Sequence, residues 1–257
     1  MKWDGAVALV TGASRGIGRE VARQAAERGA RVGLVARSAA DLDEVLSLIG
    51  GRGVAVAADV GDPARVTEAV RQVEAALGPV DVVVANAGIG AYGPFAAVDA
   101  EEIERLTRVN WLGTAHLLRA VLPGMVERRR GHVAIVASVA GRMGAPLEAL
   151  YSATKFAQVG LAEALEVELA AYDIGVSVVN PGPVATDFAA ARGHPYDRRF
   201  PRPLSTHRVA AAVVDAVEHG QAERFIPRWF RPALVTRVLF PPLYRWGARR
   251  AVPVDTT

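Results

Sequence analysis

The chain of 257 residues has no cysteine. Disulfides and thiolate metal sites are thereby excluded, and a reducing compartment is compatible. No apolar run reaches the roughly 18 residues that a spanning helix needs. The opening MKWDGAVALVTGASRG has a short apolar stretch, but glycine, serine and arginine break it at once. It reads as a first strand and turn rather than a signal peptide, and a cytoplasmic location is the expectation. The net charge is only +3. That argues against a nucleic-acid binder, for which a dense basic stripe with stacking aromatics is expected. The five histidines (116, 132, 194, 207 and 219) show no ligand spacing, so no metal is expected. Lysine is scarce too. Of 30 Lys plus Arg, only Lys2 and Lys155 are lysines. Lys155 stands four residues after a tyrosine, in YSATK (151–155).

What is present points to a large core: 51% of residues are hydrophobic and 22% charged, which excludes a disordered or fibrous chain. Short apolar runs rich in β-branched residues recur: AVALV (6–10), RVGLVA (31–36), VAVAA (54–58), VDVVVA (80–85), HVAIVA (132–137), GVSVVN (175–180) and RFIP (224–227). They are nearly continuous rather than alternating, as for strands buried on both faces of a parallel sheet. Between them, 15–29, 62–77, 101–130, 149–172 and 206–219 have the length and period of covering helices. The pattern predicts one α/β unit over 1–257, a Rossmann-type doubly wound parallel sheet of about seven strands with helices on both faces. There is no linker, repeat or low-complexity tract.

In such a sheet, ligands bind at the carboxyl ends of the strands. Three irregular stretches fall there: 86–95, 138–150 and 180–204. The last is long for a structureless connection, and 187–205 is expected to serve as a substrate loop or lid.

Glycines 12, 16 and 18 lie between the first strand and the first helix, in VALVTGASRGIGRE. Glycine permits a tight turn and lets backbone approach a pyrophosphate, whose charge meets free N–H groups at the helix start. Their spacing, Gly-x-x-x-Gly-x-Gly, differs from the commonest dinucleotide fingerprint. The second strand ends LVARSAADLDE. Ala36 stands near the place of an acidic residue that would bind the ribose 2′-OH of NAD, and Arg37 follows it. Arg15 lies inside the glycine loop. Two guanidiniums converging on a 2′-phosphate predict NADP(H).

These residues resemble the short-chain dehydrogenase/reductase family over about residues 5 to 190. The resemblance rests on TGASRGIG (11–18), DV (59–60), NAG (86–88), VN (109–110), Ser138, YSATK (151–155) and PGPVATD (181–187), in this order. It implies cofactor contacts from Gly12, Ser14, Arg15, Gly16, Ile17, Gly18 and Arg37. Asp59 and Val60 would flank the adenine, and Asn86, Ala87 and Gly88 would shape the turn beneath the riboses. Pro181, Gly182, Val184 and Thr186 would lie at the nicotinamide, Val184 and Thr186 against its carboxamide. Asn110 would hold a water in a proton relay, and Ser138 would hydrogen-bond the substrate carbonyl. Tyr151 would be the general acid/base, with Lys155 as its partner and a further cofactor contact beside it. Hydride transfer from the B face, and assembly as a homodimer or homotetramer, are implied as well. The chemistry agrees, because a free tyrosine has a pKa near 10. A cation one helical turn away is expected to stabilise the phenolate and lower that value.

The ending departs from the family, which often closes on a small glycine-rich segment. Over 224–257 the chain is instead basic and aromatic. Between Arg224 and Val254 there are seven arginines and no acidic residue, and Pro241 and Pro242 interrupt the helical pattern. Three readings stay open. The segment packs over the substrate pocket or another subunit, or residues 228–250 contact an anionic membrane in plane, or the tail is solvated. With Met143 and Tyr92, the aromatics Phe188, Tyr196, Phe200, Trp229 and Phe230 would make an apolar cleft. Ser138, Met143, Tyr151 and Phe188 are the expected substrate contacts. The expected activity is an oxidoreductase for a hydrophobic carbonyl or secondary alcohol. The alternatives are a non-catalytic dinucleotide sensor, a dehydrating or epimerising relative, and a reductase anchored at a membrane surface.

Overall fold

In the computed structural model, which describes residues 1–194, 196 and 201–251, strands and helices alternate from the first turn onward. The strands are β1 (Val7–Thr11), β2 (Arg31–Ala36), β3 (Gly53–Ala57), β4 (Val82–Ala85), β5 (Gly131–Val136), β6 (Ile174–Pro181) and β7 (Glu223–Ile226). All pair in parallel, in the order β3-β2-β1-β4-β5-β6-β7. The seven apolar runs fall on these strands to within about two residues. Every residue of β1, β4 and β5 is buried. That is why their sequences are apolar throughout rather than alternating.

The helices are α1 (Gly16–Glu27), α2 (Ala39–Leu48), α3 (Pro63–Leu77), α4 (Ala100–Leu106), α5 (Gly113–Arg128), α6 (Ala149–Ala170), the short α7 (Phe188–Ala191), α8 (Thr206–His219), α9 (Phe230–Leu239) and α10 (Pro241–Ala251). A π-helical segment, Thr107–Leu112, joins α4 to α5. Apolar residues of α1, α2 and α8 form the core on one face of the sheet. Those of α3, α5 and α6 form the core on the other. Local chemistry sets several starts: Ser38 caps α2, Asp62 with Pro63 behind it caps α3, and Ser205 caps α8. Pro241 ends α9 and begins α10. Its fixed φ suits a first turn, and its missing N–H cannot continue a helix.

β1 pairs with β2 on one side and β4 on the other. The strand order reverses there, which opens a crevice at the carboxyl ends of β1 and β4. Part of the expected 187–205 loop, Phe200 included, and residues 252–257 of the C-terminal segment lie outside the described residues. The base of that loop is closed by backbone bonds between Ala185 and Leu204 and between Leu204 and Pro183, 2.8 Å each.

One buried group ties stability to pH. His132 on β5 is 3% exposed, and its Nε2 lies 2.8 Å from the Ser177 hydroxyl. Burial pushes its pKa down to about 4. Below the ordinary imidazole value near 6.5 the unfolded chain takes up a proton that the folded chain refuses, so stability falls as the pH drops from 6.5 to 4. The expected loss is about 3 kcal/mol. Denaturant titrations across this range should show that slope in the parent and lose it in His132→Gln. An unchanged slope in the variant would refute the assignment.

Candidate active site

The turn after β1 brings backbone to an open surface. Gly12 sits at φ +65°, and a Cβ there would meet Ala87 Cα at 2.9 Å. At Gly18 a Cβ would lie 2.3 Å from the Gly12 carbonyl oxygen and 2.5 Å from Asn86 Nδ2. Any side chain at these two positions would push the loop off the Asn86 turn. α1 then begins at Gly16 with no side-chain cap, so its first N–H groups are available to an anion. The residues fit a dinucleotide pyrophosphate at this cradle.

Thr11 and Asn86 hold the turn in shape. Thr11 Oγ1 donates to the Val84 carbonyl and accepts from the amides of Asn86 and Ala87, at 3.1–3.3 Å. Asn86 Nδ2 donates to the carbonyls of Thr11 and Gly12 at 3.0 and 3.4 Å. The Asn86 side chain is thus spent on the glycine loop.

A cavity of about 1410 Å³ runs from this cradle across the ends of the strands. Ser14, Arg15, Gly16 and Ile17 line it, as do Ala36 and Arg37, Asp59 and Val60, and the turn Asn86–Gly88. Ser138, Met143, Tyr151, Lys155, Pro181, Gly182, Val184, Thr186 and Phe188 line its further part. Every expected cofactor and substrate position except the buried Gly18 therefore faces this one cavity. Arg15 and Arg37 are both exposed at its rim. Asn110 does not line it; it is fully buried behind the wall.

Three groups meet at the cavity floor, with Asn110 behind them. Ser138, just past β5, accepts a hydrogen bond from the Ala140 amide at 3.1 Å and donates to the Pro181 carbonyl at 3.5 Å, with the Tyr151 phenol beside it. Tyr151 and Lys155 lie one turn apart on α6, with Nζ 5.7 Å from the phenol ring centre. Lys155 Nζ donates to the Val136 carbonyl at 3.0 Å and to Gln158 Oε1 at 2.9 Å. Asn110 lies in the π-helical segment; its Oδ1 accepts from the Ile89 amide at 2.8 Å, and its Nδ2 donates to Ile89 O and Thr154 Oγ1.

One expectation is corrected here. Lys155 was expected to lower the phenol's pKa. Burial instead dominates both groups: it pushes Tyr151 up, against the neighbouring Ser138 hydroxyl and with the help of Glu148. It pushes Lys155 down to about 7. An ammonium whose charge burial disfavours is a weak partner for phenolate. Asn110 is tied to the same group from behind. Its backbone carbonyl already accepts from Gln158 Nε2 and Thr114 Oγ1, each at 2.9 Å. Both lone pairs are filled by side chains, and Gln158 joins Asn110 to Lys155 directly.

Sequence reading overlooked Gln158, Thr11 and Arg192. Gln158 had a signal: a polar residue at i+3 from Lys155, on the inward face of α6. Arg192 had none. It is 9% exposed at the side chain and pairs with Glu148, just before α6, at 2.6 Å. It also lies over Tyr92, 5.1 Å from the ring centre. Phe188 stands against Tyr151, with ring centres 5.6 Å apart.

The C-terminal segment forms the cavity's far wall. Trp229, Phe230, Leu243, Tyr244 and Trp246 all line it. Phe230 is seated against Gly182, where a Cβ would come within 2.7 Å of the ring. Arg237 donates to the Arg142 carbonyl at 2.7 Å and stacks over Phe156.

Comparison with known proteins agrees with this geometry. Residues 6–197 match the family model described as short chain dehydrogenase. The chain is 34% identical over 227 residues to the ketoacyl reductase HetN of Nostoc sp., covering 85% of this chain and 77% of that one. It is 36% identical over 191 residues to the 3-oxoacyl-(acyl-carrier-protein) reductase FabG of Escherichia coli, covering 74% and 78%. Among solved structures, a short-chain dehydrogenase/reductase of Burkholderia phymatum in complex with NAD superposes with a TM-score of 0.86 at 25% identity, covering 100% of this chain and 99% of that one. An alcohol dehydrogenase of the archaeon Thermococcus sibiricus, complexed with 5-hydroxy-NADP, gives 0.75 at 30% identity over 83% and 90%.

Proposed function

As a member of the short-chain dehydrogenase/reductase family, to which this chain belongs, the protein is an oxidoreductase, and we propose that it uses NADP(H) to interconvert a hydrophobic carbonyl compound and its secondary alcohol. The observation that carries this reading is Tyr151. Its phenol lies beside Ser138 and lines the cavity that begins at the glycine cradle. When bound, the nicotinamide supplies or accepts the hydride. Ser138 donates to the substrate oxygen and orients it. Tyr151 gives that oxygen a proton during reduction and takes it back in the reverse direction. Lys155, one turn from the phenol, would contact a ribose hydroxyl of the bound cofactor. Asn110 and Gln158 position Lys155 from behind. A phenol that burial keeps protonated suits reduction at neutral pH, and the alcohol-oxidising direction should quicken as the pH rises.

The apolar wall from Phe188, Trp229 and Phe230 supports a hydrophobic substrate. Curated relatives named as ketoacyl reductases put 3-oxoacyl thioesters on the assay panel beside aromatic and steroid-like ketones. NADPH consumption across that panel tests the proposal, and no turnover with any ketone would count against it. We also propose a cytoplasmic homodimer or homotetramer, following the family.

The preference for NADP(H) rests on Arg15 and Arg37 at the rim, with Ala36 where an acid would favour NAD. Two charge-assisted contacts are at stake. Arg15→Ala with Arg37→Ala should weaken NADPH binding about 10- to 100-fold and leave NADH within about threefold. Fluorescence titration measures both, and a parent that binds NADH more tightly would refute the preference.

A further inference from the structure

The C-terminal hairpin presents apolar side chains to the outside as well as to the cavity. Thirteen large hydrophobic residues are exposed among those described, and seven of them fall between Trp229 and Trp246. A patch that concentrated marks an interaction surface rather than ordinary scatter. Val235, Val238 and Leu239 form one stripe of α9, at i, i+3 and i+4. Leu243 and Trp246 continue it on α10, with Phe240 at the joint.

The charge around the stripe narrows the partner. Residues 224–254 carry seven arginines and no acid, which exceeds the +3 of the whole chain, so the remainder is net acidic. Arg231, Arg245 and Arg249 are exposed beside the stripe. A second copy meeting this face through a two-fold axis would set arginines against arginines. A surface both apolar and anionic meets the two demands together. Tryptophan at the polar–apolar boundary, with arginine reaching into a phosphate layer, is the arrangement of an in-plane anchor. Among the described residues no helix is long and apolar enough to cross a membrane.

We propose that the α9–α10 hairpin docks in plane on an anionic lipid bilayer, its stripe in the headgroup–acyl boundary and its arginines among the phosphates. Leu243 and Trp246 belong to both the stripe and the cavity wall. Docking therefore sets one wall of the cavity beside the acyl region, where an apolar substrate partitions. This last step rests on the hydrophobic-substrate reading above, whereas docking itself is tested without turnover.

The experiment is co-sedimentation of the full chain with vesicles of phosphatidylcholine alone and with about one third phosphatidylglycerol. The protein should pellet with the anionic vesicles at least tenfold more than with the neutral ones. Most of that difference should vanish in 1 M salt, where the screening length is about 3 Å. Brominated acyl chains should quench tryptophan fluorescence on binding. Val238→Glu with Phe240→Glu, and separately Arg245→Glu with Arg249→Glu, should each cut binding at least tenfold while far-ultraviolet dichroism and NADPH affinity stay as in the parent. Equal pelleting with both vesicles, or none, would overturn the proposal. So would an oligomer in size-exclusion chromatography that Phe240→Glu dissolves while the parent ignores vesicles, because a second copy would then be the occupant.

Discussion

Tyr151→Phe is expected to lower kcat/KM by about 10²–10⁴-fold, the usual worth of a positioned proton donor, and to leave NADPH affinity within about twofold. The reasoning is geometric. Phenylalanine keeps the ring against Phe188, 5.6 Å between centres, so the local packing survives. Only the hydroxyl beside Ser138 is lost. Ser138 retains the Ala140 amide as a partner, so the deletion leaves no stranded group there. The pyrophosphate cradle is built by Gly12, Gly18, Thr11 and Asn86, none of which touches the phenol. Single-turnover rates and a binding titration separate the two effects. Activity within tenfold of the parent would remove Tyr151 from the mechanism. Full NADPH binding in a parent that reduces no ketone would point to a sensor.

Lys155→Arg should be the second large effect, although formal charge is conserved. Lys155 is 4% exposed and holds two acceptors, Val136 O and Gln158 Oε1. A guanidinium is longer, brings five donors to two acceptors, and cannot shed its proton. The lysine can, since burial pushes its pKa down to about 7. The lowered value means that the unfolded chain binds more protons between about pH 7 and 10.5, so this residue makes the parent more stable as pH rises through that window. Arginine stays charged throughout, and an uncompensated buried charge costs about 3–5 kcal/mol. The variant should melt at lower temperature, lack that part of the rise with pH, and lose at least about a hundredfold in kcat/KM, since both proton transfer and positioning suffer. A parent-like variant would mean that a fixed charge serves as well. Gln158→Leu, which keeps similar bulk but unlinks Lys155 from Asn110, should cost about 10- to 100-fold and shift the pH–rate profile, which a loss of packing alone would not do.

Much of this was legible in the chain because its causes are local. Burial on both faces forces continuous apolar runs, so all seven strands could be placed from β-branched stretches. A glycine loop between strand and helix has few other uses. A lysine kept four residues after a tyrosine, in a chain that otherwise uses arginine, marked its own position. α2 was not named beforehand, since AADLDEVLSL buries only Leu42 and Val45 and shows a weak stripe. Arg192 and Glu148 lie 44 positions apart, and no local rule pairs them. The C-terminal segment left three readings open because its apolar residues serve two sides at once.

By itself, then, the amino-acid sequence determined the parallel sheet, the phosphate-binding turn and the pairing of Tyr151 with Lys155, because each is written in spacing along one or two adjacent elements. Tertiary structure alone decided the protonation balance of that pair and the capture of the Asn110 carbonyl by Gln158. It also decided which side chains of the last two helices face the cavity and which face outward. Desolvation and lone-pair saturation depend on what packs around a group from elsewhere in the chain, and no periodicity along the sequence records that.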